Sequence, residues 1–446
     1  MRRSTAPAVG LAVVRAVLVA AALVLSGALG ALVPSHRRTA ILLGGATLVV
    51  AVVLVDPLLL TVAAAPGALL LQRLGGSAAG SSVDLSDVIL LVGTGLALPM
   101  VRWGRAGWLR SALRFGLAYE LLILPVVAAH PNSHDVLEWV HRLLLVSGAL
   151  VAGWAVAVAG RARQALSAFL AAAIVLAVIT CVVAVHLHFK AAQFGAYQKN
   201  YIGSVMWMAV AVAHLNPSWA GIDRRLARPA KYLCALALLA SHSKQSIVAL
   251  LVALGLAIVA QRALRRRSKI LIVALVPLGV FAYWVSMAEL RSKQINSLTY
   301  RGQLLSGGMH VFRQSPWLGQ GLHWFYLPQY VSSFGQPPNL EVGALASGGV
   351  VGLVAIVVLL VGLGLVLRRL PKPVGMLALC VLVGRVVQTQ FDLFWVSAAG
   401  MLPFLIAGMA LGVADRARST LSCGALSGGS SALGGDLPAS PVPPGP

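Results

Sequence analysis

At 446 residues, 59% hydrophobic and 11% charged with a mean hydropathy of +0.87, this chain is far more apolar than a soluble globular domain. It lacks the short alternating segments of a β-barrel, so the recurring apolar runs describe an all-α, polytopic transmembrane helical bundle. A formal charge of +23 would suggest nucleic acid in a soluble chain, but the placement of the charges gives a better explanation and no nucleic acid is needed.

Taken in chain order, Arg2-Arg3 and the apolar run after them read as an uncleaved first helix, because more spans follow. Candidate spans lie at 9–33, 39–55, 57–73, 87–101, 112–130, 136–159, 164–188, 200–216, 229–242, 244–261, 269–287, 343–367, 374–391 and 393–413. That makes fourteen, with twelve the nearest competing count; segment 57–73, holding Pro57 and Pro66, is a candidate for a broken or re-entrant span. The organisation expected is a transmembrane bundle over 1–287, an extracytoplasmic loop over 288–342, C-terminal transmembrane helices over 343–414, and a Gly/Ser/Pro-rich tail over 415–446 without order. No internal repeat is visible, which weakens a transporter reading.

The basic residues cluster in short loops: Arg102 to Arg114, Arg161/Arg163, Arg224 to Lys231, Arg262 to Lys269 and Arg368 to Lys372. With Arg2/Arg3 and Arg416/Arg418 they make 22 of the 35 Lys and Arg, against eleven in or beside the alternate loops. The positive-inside rule then makes both termini cytoplasmic and puts 288–342 on the outer face of the plasma membrane. Three of the four cysteines (Cys181, Cys234, Cys380) fall in apolar spans and offer neither a disulfide framework nor metal-ligand spacing, so no metal or cofactor is expected.

Three separated pieces carry a resemblance. One is Gln198-Lys199-Asn200-Tyr201-Ile202-Gly203-Ser204 at the start of a span, and a second is Ser241-His242-Ser243-Lys244-Gln245. The third is the outer loop, with Arg301, a Pro-x-x-Gly-x-Gly turn from Pro316 to Gly321, Asn339, and Gly349-x-x-Gly352. In order and spacing they resemble the O-antigen ligase and polymerase (Wzy/WaaL-like) superfamily of membrane glycan transferases over about 198–353. Two positions depart from that pattern: Lys244 stands where the family prefers Arg, and Pro338 where it has a His.

The resemblance implies polysaccharide biosynthesis in the cell envelope. A glycan on an undecaprenyl or other polyprenyl diphosphate is the donor, a glycan or lipid is the acceptor, and membrane lipids surround both. Arg suits the diphosphate because its fork contacts phosphate oxygens bidentately and stays charged, whereas Lys keeps the charge and loses the fork. Lys244, Arg301, Arg385, Asn339, Trp317 and Trp324 are the candidate substrate-binding residues. Arg301, His323, Glu341 and His310 are the candidate catalytic ones, with Asp392 at the opposite outer edge as a further base.

Structural roles compete with these. Lys244 suits a snorkelling group that ends a span, His310 and His323 suit loop packing, and Glu341 suits the first turn of a helix. Pro337-Pro338 reads as a stiff lead into the next helix. Two charges fall within spans: Glu120, read as a packing group, and Arg385, which shares with Gln388 and Asp392 a polar face at i, i+3, i+7. Whether the chain is an active transferase is left open by Pro338; a non-catalytic scaffold and a transporter or lipid flippase are the alternatives.

Overall fold

The structure is a computed structural model, described for residues 52, 56–71, 85–194, 197–260, 273, 297–331 and 336–427. The expected span 9–33, nearly all of 39–55 and of 269–287, and the Arg262–Lys269 loop lie outside those residues. Among the described residues there is no strand, only one isolated bridge between Phe194 and Tyr197.

The longer helices are α1 (Pro57–Leu71), α2 (Leu85–Ala97), α3 (Gly107–Ala129), α4 (Ser133–Val158), α5 (Ala162–His186) and α6 (Lys199–Leu215). They continue with α7 (Arg224–Ala240), α8 (Lys244–Ala260), α9 (Ser297–Gln314), α10 (Leu340–Arg369), α11 (Lys372–Gln388) and α12 (Ser397–Ser427). Among the described residues, five stretches are long and apolar enough to cross a membrane: α3, α4, α5, α10 and Ala398–Thr420 of α12. The chain is an integral membrane protein of all-α architecture.

Local chemistry sets several of these boundaries. Asn132 starts α4 by accepting from the Asp135 N–H at 2.8 Å, and Asp223 starts α7 through the Arg225 N–H at 2.9 Å. A π-helical turn over Leu144–Gly148 interrupts α4. Of segment 57–73, a candidate for a break, the described part Pro57–Leu71 forms one helix through Pro66. The chain past Asp415 continues as helix to Ser427, a correction to the expectation of an orderless tail from 415; residues 428–446 lie outside the description.

Helices α4 and α12 form the tightest pair, and small residues make it possible. A Cβ on Gly153 would stand 2.1 Å from the Leu405 carbonyl oxygen, and one on Gly408 would stand 2.2 Å from that of Leu150. Backbones approach this closely only where side chains are absent. Asp415 then ties the same pair to α3: its carboxylate accepts from the Trp108 and Leu109 N–H groups at 3.0 and 3.3 Å and from Trp154 Nε1 at 3.0 Å. A carboxylate there answers the unpaired donors of the α3 N-terminus.

The bundle therefore has two chemically different ends. At one, Arg418 lies over the Trp108 ring at 4.4 Å and Arg161 pairs with Asp56 at 2.5 Å. At the other, the α10 N-terminus meets the end of α11 (Leu340 N–H to Thr389 O, 2.9 Å). That second end also carries the α3–α4 turn, the α7–α8 turn and the 315–331 segment, and all three sequence pieces singled out above lie there.

Candidate functional site

Two of the glycine-containing pieces prove to be halves of one joint. Helix α10 is kinked at Gly349, where φ is 62° and ψ is −155°. The 316–321 turn docks into the break: Val350 and Val351 N–H donate to the Pro316 and Trp317 carbonyls at 2.8 and 3.2 Å. In return, the Gln320 and Gly321 N–H groups donate to the Ala346 and Ser347 carbonyls at 3.1 Å each. Any Cβ on Gly349 would lie 2.3 Å from the Trp317 carbonyl carbon, and one on Gly319 (φ 63°) would lie 2.4 Å from that of Ser347. Positive φ and backbone contact together leave room for glycine alone.

A buried polar cluster forms where α6, α8 and α11 meet. Gln388 is its centre: Oε1 accepts from Trp207 Nε1 at 2.9 Å and from Arg385 Nη1 at 3.1 Å. Nε2 donates to Ser204 Oγ and lies 3.2 Å from Ser246 Oγ and 3.4 Å from Asp392 Oδ2. Ser246 in turn shares a 2.8 Å hydrogen bond with Ser243. A Cβ on Gly203 would sit 2.4 Å from that of Ser243, so the 198–204 and 241–245 pieces are in direct contact.

Asp392 lies at the edge of this cluster, beyond the end of α11, which stops at Gln388. The expected grouping of Arg385, Gln388 and Asp392 thus holds through side-chain bonds and not through a continuing helix face. Burial pushes the Asp392 carboxyl above the usual carboxylate range; Arg385, the Leu393 N–H, Gln245 and Arg301 pull it back. Arg301, on the first turns of α9 and partly exposed, is therefore within electrostatic reach of Asp392, while Lys244 stands exposed next to Gln245.

The other candidates are distributed differently. Arg385 is buried and uses Nη2 on the Leu393 and Phe394 carbonyls at 2.8 and 2.7 Å, so it holds the α11–α12 connection in place. Asn339 caps α10 by accepting from the Val342 N–H at 2.9 Å and donates to the Gln390 carbonyl at 3.2 Å. Glu341 accepts from Gln390 Nε2 at 2.8 Å. His310 is exposed, 3.2 Å from Gln314 Nε2, and nine residues beyond Arg301, which on a helix is the opposite face. Trp317 is 72% exposed at the α10 kink, and Trp324 is buried against Tyr330.

His323 sits in a different nest. Its ring stacks on Tyr326 at 4.2 Å and on His134 at 5.3 Å, and its backbone N–H donates to Asp135 Oδ1 at 2.6 Å. Burial lowers its pKa below the ordinary histidine value. The geometry ties His323 to the start of α4, through Asp135 and His134.

The sequence reading missed a second polar group, on α4. Glu138, His141 and Arg142 are all buried: Glu138 accepts from Arg142 Nε at 2.9 Å, and His141 lies 3.3 Å from Asp87. Arg142 Nη1 donates to the Tyr119 hydroxyl at 3.3 Å, and its guanidinium lies 4.9 Å from the Trp395 ring centre. Their i, i+3, i+4 spacing in an apolar helix was the available signal. Glu120 is 3% exposed, and neither carboxyl oxygen has a hydrogen-bond partner among the described residues. Tyr119 and Arg142 line a cleft bounded by Trp324, Asn339, Gly343 and Trp395.

With this geometry in hand, residues 230–357 match the family model described as O-Antigen ligase. The match supports placing the chain in the O-antigen ligase/polymerase-like superfamily. A search of curated proteins returned no match. The O-antigen ligase segment contains Lys244, Arg301, the 316–321 turn, Asn339 and Gly349. Ser204, Arg142, Gln388 and Asp392 lie outside it and reach it only through the fold. The likeness of this segment to that family supports a role in membrane glycan processing.

Proposed function

We propose that this protein is a glycosyltransferase that moves a glycan from a polyprenyl-diphosphate carrier to an acceptor hydroxyl at the outer face of the plasma membrane. The observation that supports this most is the placing of Asp392 beside the 241–246 turn through Gln388, within range of the Arg301 charge. The 22-to-11 distribution of basic residues argues that this end faces outward.

In this mechanism Arg301 binds the donor diphosphate and stabilises the charge that builds on it as the glycosidic C–O bond to phosphate breaks. Lys244 adds a second positive charge at the start of α8. Asp392 takes the proton of the acceptor hydroxyl as its oxygen bonds to the sugar's anomeric carbon. The products are the extended glycan and the carrier diphosphate, with the proton on Asp392.

Asp392 is preferred to His323, His310 and Glu341 because its carboxyl feels the charge of Arg301 and is held against the buried Gln388 cluster. It also sits two residues past Gln390, which bonds Asn339, the neighbour of Pro338. Arg385 and Gln388 act as positioning residues for it.

Cells lacking the protein should accumulate a polyprenyl-diphosphate-linked glycan. Wild-type protein should clear it, and Arg301→Ala at equal abundance should not. Normal lipid-linked pools in the deletion strain would refute the reading.

A further inference from the structure

The cleft beneath the 322–325 turn has the composition of a carbohydrate site, and the residues that make it so have no role in the mechanism above. Its walls carry Tyr119, Arg142, Trp324, Phe325, Asn339 and Trp395. Aromatic faces beside a few fixed polar groups suit pyranose rings, which present C–H faces and hydroxyl edges.

Arg142 decides which class of sugar. Its charge is answered by Glu138 at 2.9 Å, and Tyr119 and the Trp395 ring fix its plane. A guanidinium already neutralised in this way offers N–H donors without a net positive field, which is poor for a diphosphate and good for hydroxyls. Position fits as well. Arg385, in the buried cluster next to Asp392, donates to the carbonyls of Leu393 and Phe394, and both residues line the cleft. The two regions share a wall.

We infer that this cleft is a glycan subsite, holding a neutral sugar unit through Arg142, Asn339 and the aromatic faces of Phe325 and Trp395, with Trp324 buried in the wall behind them. The inference rests on the proposed transfer reaction for its context, and it names where the sugar lies while Arg301 holds the diphosphate. Donor and acceptor glycans present the same chemistry, so kinetics must separate them.

Gly343 provides the test. It lines the cleft on α10, and a Cβ there meets only the Pro337 carbonyl oxygen at 4.0 Å. Side chains of growing size should fill the cleft without removing a contact, and each is a better helix former than glycine. Full-length protein in lipid nanodiscs is titrated with the cells' own glycan, released from its lipid by mild acid and fluorescently labelled at the reducing end. Anisotropy should show binding that weakens from Gly343→Ala to Gly343→Leu, by tenfold or more in the latter, while Arg301→Ala still binds.

In transfer assays Gly343→Leu should raise KM for one substrate only. A raised donor KM assigns the sugar to the donor, and a raised acceptor KM assigns it to the acceptor. Wild-type binding and transfer in Gly343→Leu, with Arg301→Ala inactive, would overturn the subsite and leave the proposed function standing. Gly343-dependent binding by a protein that transfers nothing would support the subsite and overturn the function.

Discussion

Asp392 and His323 are both partly or wholly buried titratable groups, and burial moves their pKa values in opposite directions. For His323 the folded pKa is lowered, so its contribution to stability is present above the unfolded value of about 6.5 and is lost as pH falls from there through the lower folded pKa. Amide protection at 322–331, corrected for the intrinsic slowing of exchange at lower pH, should therefore fall as pH drops below about 6.5. His323→Gln, which cannot titrate, should flatten that dependence, and equal pH sensitivity in the variant would show that another group is responsible. For Asp392 the raised pKa means that the base is lost to protonation at a higher pH than for an ordinary aspartate. The acid limb of kcat/KM should lie above about 4. Lys244→Arg should keep or raise turnover, since it restores the bidentate fork.

At the scale of elements, the joint between the 316–321 turn and the α10 kink decides how the outer segment is held. The sequence showed its glycines as two motifs 28 residues apart, from Gly321 to Gly349, and gave no sign that they touch; backbone pairing between distant turns leaves no periodicity to read. Gly349→Ala forces a Cβ into the Trp317 carbonyl and strains a residue at φ 62°. It should cost at least about 1–3 kcal/mol and lower the thermal midpoint in detergent. An unchanged midpoint would mean that the joint opens freely. The helices themselves were legible, because apolar runs of bilayer length are a strong signal. Their ends were less so, as with α12, whose polar last turns read as tail.

For the whole molecule, the two ends of the bundle carry the functional argument, and the proposed outward face of one of them rests on the charge distribution. In a cysteine-free background, Ser306→Cys on α9 should react with an impermeant thiol reagent added outside, and Thr420→Cys on α12 should not. The reverse pattern would turn the mechanism inside out. Of the candidate site, sequence named Arg301, Lys244, Asn339, Arg385 and Asp392, with His323, His310 and Glu341 as competing bases. The fold adds Ser204 and Ser246, from two other helices, to the pair of Gln388 and Asp392. Side chains that meet only through tertiary packing cannot be paired from one sequence.

The central claim is that Arg301 and Asp392 form one transfer centre. The most direct measurement is single-turnover transfer from purified polyprenyl-diphosphate glycan by reconstituted wild-type protein, Arg301→Ala and Asp392→Asn. The account predicts transfer by wild type, and losses of about 10²–10⁴-fold in each variant with donor binding kept in Asp392→Asn. Wild-type rates in Asp392→Asn would contradict it.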